Sequence, residues 1–171
     1  LTVSGVSSLG AIGNVRVTGG TSVAGFQDRT LNKIEYDADN IVTLSDDKEF
    51  TLQKGTYVIE FSAPAYQVKN NNAWLYSVTD DVRVAQGSHT YSAVNSSNAS
   101  ATIRSFGSHF VTLTEPHTYK IQHHTQAVRN NDGLGNSSLS GVGIFATVDI
   151  QKVGAGGASS GGGTTDILPV L

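Results

Sequence analysis

The side chains best suited to chemistry are few: His123 and His124, Asp37 with Asp39 and Asn40, the Asp80-Asp81 pair, and many serines among five histidines. Two adjacent imidazoles would hold a metal only if both pointed one way. Consecutive strand residues point to opposite faces, so "YKIQHHTQ" places one ring inside and one outside. An ion could then be bound only where three copies bring His123 or His124 to a shared three-fold axis. The aspartate stretches lack the glycine and distal glutamate of a calcium loop, and both read as turns. "GVSSLG" only approaches the G-x-S-x-G nucleophile elbow. No phosphate loop, HExxH or dinucleotide fingerprint occurs. Paired carboxylates for glycoside hydrolysis have no spacing of their own to recognise, and no pocket is implied. The reading is a non-enzyme with no catalytic residue, no metal and no cofactor.

Composition says what must position any such groups. The chain has 171 residues, 38% of them hydrophobic and 15% charged, with 19 Gly and 3 Pro. The charged share is well under the usual quarter. Abundant Ser, Thr, Asn and Gly weaken helices and suit strands joined by turns. Net charge is −3 with Lys and Arg scattered singly, which argues against nucleic-acid binding. No apolar run reaches the roughly 18 residues of a membrane helix, so no membrane insertion is expected. Cysteine is absent, which removes thiol chemistry and cysteine metal sites. Methionine is absent even at position 1, which reads as a fragment, a processed product or the ordered part of something longer.

Strands are predicted over 33–36, 41–44, 49–52, 56–63, 73–78, 83–89, 102–113, 118–125 and 143–152. Turns fall at Ser45–Lys48, Asn70–Asn72, Asp80-Asp81, Glu115-Pro116 and Asn131–Gly133. "FTLQKGTYVIEFSAPAYQ" (50–67) reads as a strand pair turning on Lys54-Gly55. Tyr57, Ile59, Phe61 and Ala63 share one face there, and Ile144, Ala146, Val148 and Ile150 repeat the pattern in the last strand. Period two, turns about ten residues apart and no helix candidate indicate an antiparallel β-sandwich.

Three segments separate by composition. Residues 1–25 are Gly-punctuated strand material, a shaft or anchor that needs copies of itself or a neighbouring domain to cover its apolar side chains. Residues 26–153 form the head. Residues 154–171 are a Gly/Ser linker ending in "DILPVL", which is either a tail lying on its own domain or a docking peptide anchored by Ile167, Leu168 and Val170. Asn70, Asn71, Asn72, Asn130 and Asn131 are predicted exposed-loop contacts, together with the loop 95–100. The Asn-x-Ser matches at Asn95, Asn98 and Asn136 mark exposed loops. Trp74, in "AWLY", is expected in the core.

"FTLQKGTYVIEFSAPAYQV", "LYSVTDD", "QGSHTYS", "IRSFGSHFVTLTEPHTYKIQHHTQ" and "VDIQKV" together resemble the head domain of tailed-bacteriophage fibre and decoration proteins. The opening "LTVSGVSSLGAIGNVRVTGG" is similar to the Gly-punctuated shafts that precede such heads. These heads are similar in fold to the tumour-necrosis-factor and complement globular-head jelly rolls, which assemble as trimers. The resemblance implies a homotrimer on the exterior of a virion, touching other capsid or tail proteins and, in the receptor-binding case, a host-surface glycan. It carries over no catalytic residue. The rival is a glycan-binding, lectin-like adhesin head. The tail after Val153 departs from the family pattern and favours attachment to neighbouring virion proteins.

Overall fold

Tyr57, Ile59, Phe61 and Ala63 alternate along a strand spanning Gly55–Ala65, and all four are buried, as period two requires. That strand is one of twelve among the described residues of this computed structural model, which are 6–16, 18–94, 100–137 and 141–154. In chain order they are β1 (Val6–Arg16), β2 (Gly25–Asp28), β3 (Lys33–Tyr36), β4 (Val42–Ser45), β5 (Glu49–Leu52), β6 (Gly55–Ala65), β7 (Lys69–Ser77), β8 (Val82–Gln86), β9 (Thr90–Ser92), β10 (Ile103–Leu113), β11 (His117–Thr125) and β12 (Gly143–Val153). No helix occurs among the described residues, and the strands pair antiparallel, so the all-β sandwich expected from sequence is the fold observed.

One sheet runs β10-β6-β12-β1-β3. The other runs β4-β5-β11-β7-β8, with β2 added on β11 and β9 on β7. Ile12, Tyr57, Ile59, Phe61, Val148 and Ile150 from the first sheet meet Phe50, Leu52, Leu75, Tyr119 and Ile121 from the second in one core. Asp46 and Asp47 turn at positive φ (50° and 52°), as does Asn131 (67°), where turn residues were predicted.

The hairpin expected across Lys54-Gly55 does not form. β5 pairs with β4 and β11, while β6 pairs with β10 and β12. The turn passes the chain from one sheet to the other, so its two flanking strands meet through side chains in the core instead of along a ladder.

The opening segment also differs from expectation. It is not a separate shaft: β1 is hydrogen-bonded between β12 and β3 inside the first sheet. Gly10 permits this, because a Cβ there would stand 3.3 Å from Ile41 Cγ1. Without one, Ile41 and Val42 close over the strand, and Ile12 sinks to 1% exposure. The proposed tail anchors Ile167, Leu168 and Val170 lie outside the described residues, as does the loop 95–99.

Candidate assembly interface

The outward face of the first sheet follows from the same alternation that builds the core. With Tyr57, Ile59 and Phe61 inward, Thr56, Val58, Glu60 and Ser62 face out from β6. Register then places Arg104, Phe106, Ser108, Phe110 and Thr112 of β10 beside them. On the other side stand Thr147, Asp149 and Gln151 of β12, followed by Leu9 and Ala11 of β1. Side-chain bonds tie its strands together. Thr56 and Thr112 hydroxyls lie 3.1 Å apart, and those of Ser62 and Thr147 lie 2.9 Å apart. Arg104 donates to Ser62 Oγ at 2.6 Å and to the Phe145 carbonyl at 2.7 Å.

Large apolar side chains stand exposed on both sides of its polar centre. Phe106 is 60% exposed, Phe110 65%, Tyr36 54% and Leu9 48%. Ile144 joins them. Expected to point inward with Ala146, it is instead exposed, because the β1–β12 register shifts between Gly13 and Val15 and turns it out. Two hollows indent the centre. One is lined by Glu60, Ser62, Phe106, Ser108, Thr147 and Asp149, the other by Leu9, Ala11, Tyr36, Glu60, Asp149 and Gln151. Glu60 and Asp149 border both and are direct cross-strand neighbours. Partial desolvation pushes the Asp149 carboxyl above the usual carboxylate range.

The other predicted sites resolve differently. His123 is buried and His124 only partly so, on opposite faces as their adjacency requires. His123 Nδ1 accepts from Arg29 Nη1 at 3.0 Å, which leaves Nε2–H to donate to Asn71 Oδ1 at 3.1 Å. With both nitrogens engaged it cannot serve an axial ion. His124 sits on the second sheet, edge-on to Phe26. No group of three His, Asp or Glu able to hold a metal occurs among the described residues.

Asn71 and Asn72 are corrected from exposed-loop contacts to buried strand residues. The turn lies earlier, at Gln67 and Lys69, both at positive φ, and β7 already runs through the asparagines. Asn71 spends its amide on His123, Thr90 and the Lys69 carbonyl. Asn70, Asn130 and Asn131 are exposed as expected. Trp74 is corrected too: it is half-buried on the outward side of β7, flanked by Gln86 and Gln122 across the ladder. Asp37 accepts from the Ile41 and Val42 amides, which is the turn role foreseen for it.

Ser77, Asp80 and His117 do come together. However, Asp80 Oδ2 sits between the other two, accepting from Ser77 Oγ at 2.9 Å and lying 2.8 Å from His117 Nε2. The imidazole does not touch the hydroxyl, so it is not placed to draw the serine proton.

Burial holds the His123 ring well below its ordinary pKa, aided by the adjacent Arg29 charge, and burial lowers His109 as well. The unfolded chain therefore binds these protons first as pH falls. Stability conferred by the neutral rings is complete above about pH 6.5 and is lost below it. The expected result for the single subunit is a melting temperature that drops between about pH 7 and about pH 5, at up to about 1.4 kcal/mol per pH unit for His123. Calorimetry of His123→Gln should show that slope reduced by one proton; an unchanged slope refutes the assignment.

No family model and no curated protein matches this sequence. Solved structures share its fold. The globular domain of zebrafish complement 1qA protein aligns with TM-score 0.53 at 16% identity, covering 84% of this chain and 96% of that one. Murine APRIL at pH 5.0 aligns with TM-score 0.55 at 5% identity, covering 85% and 98%. Eiger TNF from S. frugiperda aligns with TM-score 0.51 at 11% identity, covering 85% and 92%. The architecture is thus the TNF and complement-head jelly roll.

Proposed function

We propose that the chain is the head of a closed homotrimer on the exterior of a bacteriophage particle, a fibre or capsid-decoration protein whose role is structural and not enzymatic. The observation that carries self-assembly is the outward face of the first sheet, where Phe106 and Phe110 on β10 and, across the polar centre, Leu9 on β1 and Tyr36 on β3 stand exposed. Exposed aromatic pairs rimmed by polar residues mark interaction surfaces. The rings of Phe106 and Phe110 stand on β10 at one edge of the sheet, and the hollow beside Leu9 and Tyr36 lies toward the opposite edge. A projection and a hollow at different places on one surface make a heterologous contact, which satisfies every copy only by closing into a ring. Three is the number implied by the jelly-roll heads that this chain resembles.

The virion setting is supported by the sequence resemblance of 27–153 to phage heads. In this reading Ile167, Leu168 and Val170 dock on neighbouring capsid or tail proteins, and Asn70, Asn130 and Asn131 are displayed outward. Light scattering at micromolar concentration should return about three times the 17.9 kDa chain mass. A chain that stays monomeric at every pH overturns the trimer. Many copies over the shell in an intact particle mean decoration, and a few at the tail mean a fibre.

A glycan-binding head is the second reading, favoured by Trp74. It stands part-exposed on the second sheet, the face left free by such a trimer, with Gln86 and Gln122 beside it and Arg83 stacked 3.7 Å over Phe26. A flat aromatic flanked by planar amides suits a sugar ring and its hydroxyls. Glycan binding lost in Trp74→Ala with the trimer intact would establish it.

A further inference from the structure

We propose that the assembly closes with uptake of protons at the Glu60–Asp149 pair, so that acid tightens the trimer and rising pH loosens it. The inference rests on the trimer reading and concerns the chemistry of that same face. Glu60 on β6 and Asp149 on β12 are directly opposed in register, at the centre of the face and on the border of both hollows. Like charges in directly opposed positions of a ladder repel.

Among the described residues, no cation on this face answers them. The elements beside the pair present Phe106, Ser108 and Phe110 from β10, Leu9 and Ala11 from β1, and Tyr36 from β3. The other charged groups of the sheet lie away from the pair, Arg16 at the far end of β1 opposite Gly143. Arg104 is spent on Ser62 Oγ and on the carbonyls of Ile144 and Phe145. Lys33 pairs with Glu35. Lys152 lies over the Tyr57 ring, on the inward side, and His109 is on the inward side of β10.

A second copy laid over the aromatic rim takes water from both carboxylates at once. Two unpaired anions in a desolvated contact cost far more than two rings of Phe return. One proton taken up at the pair removes a charge from the contact and lets the protonated carboxyl donate to its neighbour. Partial desolvation alone raises Asp149 in the single subunit, and a covering copy extends that desolvation.

A group that holds its proton more tightly in the assembled state favours assembly at low pH and releases it as pH climbs. One proton per copy makes three per trimer, so the association constant should change by up to about 1000-fold per pH unit. The pair is not a glycosidase centre. Cross-strand neighbours project side by side, whereas hydrolytic carboxylates must flank the bond they cleave.

The test is sedimentation of the full chain from about pH 5 to about pH 8 at fixed ionic strength, with circular dichroism alongside to separate subunit unfolding. Wild type should pass from trimer to monomer as pH rises, while Glu60→Gln and Asp149→Asn should stay trimeric at the alkaline end and lose the dependence. Three results overturn the proposal: a pH-independent trimer, a trimer weakened by Glu60→Gln (which would mean a cation from the neighbouring copy), or a trimer formed with millimolar calcium and dispersed by chelator. A chain monomeric under every condition, the amide variants included, removes the trimer reading itself.

Discussion

Replacing Phe106 and Phe110 together by serine should convert the trimer to monomers without unfolding the subunit. The two rings are 60% and 65% exposed in the single chain, so the isolated fold gains little from them. Covering each one fully contributes up to about 3 kcal/mol of apolar burial. With two rings from each of three copies and about 60% of each left to cover, the loss comes to about 5–11 kcal/mol, enough to take a nanomolar assembly beyond micromolar. Sedimentation velocity reads the change directly, and a melting temperature within about 2 °C of the wild-type monomer shows the fold retained. A Phe106→Ser/Phe110→Ser chain that remains trimeric would place the interface elsewhere.

Arg29→Ala should be the most damaging single change to the subunit. Arg29 is fully buried and the largest such side chain, with no carboxylate in reach among the described residues. Burial pushes its pKa down to about 9, with Arg104 adding repulsion, so it is still charged at neutral pH. That desolvation is offset by what the guanidinium joins: the Pro64 carbonyl at the end of β6, the Leu134 carbonyl in the 126–136 loop, and His123 Nδ1 on β11. Removing it relieves the burial of charge but strands three acceptors, each worth about 1–3 kcal/mol when left unpaired, and opens a cavity. The acceptors and cavity win, for a net loss of about 3 kcal/mol, or roughly 6–12 °C in melting temperature. Arg29→Met keeps the volume and sheds the charge, so it should lose less. Equal melting curves for wild type and Arg29→Ala would mean that the network holds nothing together.

Some of this was open to reading from residue order. Tyr57, Ile59, Phe61 and Ala63 announced an inward face, "IQHHTQ" announced one histidine in and one out, and the turn aspartates fell where turns are. All three depend on neighbours within a few positions, where alternation and backbone preference act.

The interface was missed although its strand was predicted. In "IRSFGSHFVTL" the residues at the inward positions of the middle are Ser105, Gly107 and His109, while Phe106 and Phe110 face out. Gly107 is needed inward because the Phe61 ring lies against it, with Cζ 2.2 Å from where a Cβ would stand. An aromatic pair on the wrong side of small inward residues is the signal that was available, and it becomes legible only once β6 is known to be the neighbour.

Asn71 and Asn72 looked like loop residues because asparagine favours turns, yet burial beside His123 and Arg29 satisfied Asn71 better than water would. The sequence alone thus determined the class of the fold, the inward face of its best strand and the poverty of local catalytic motifs. Tertiary structure decided which strands are neighbours, where the opening segment goes, which side of β10 meets water, and that Glu60 and Asp149 stand opposed. The reason is that period two tells a strand's two faces apart without saying which is covered, and covering is a property of strands far away in the chain.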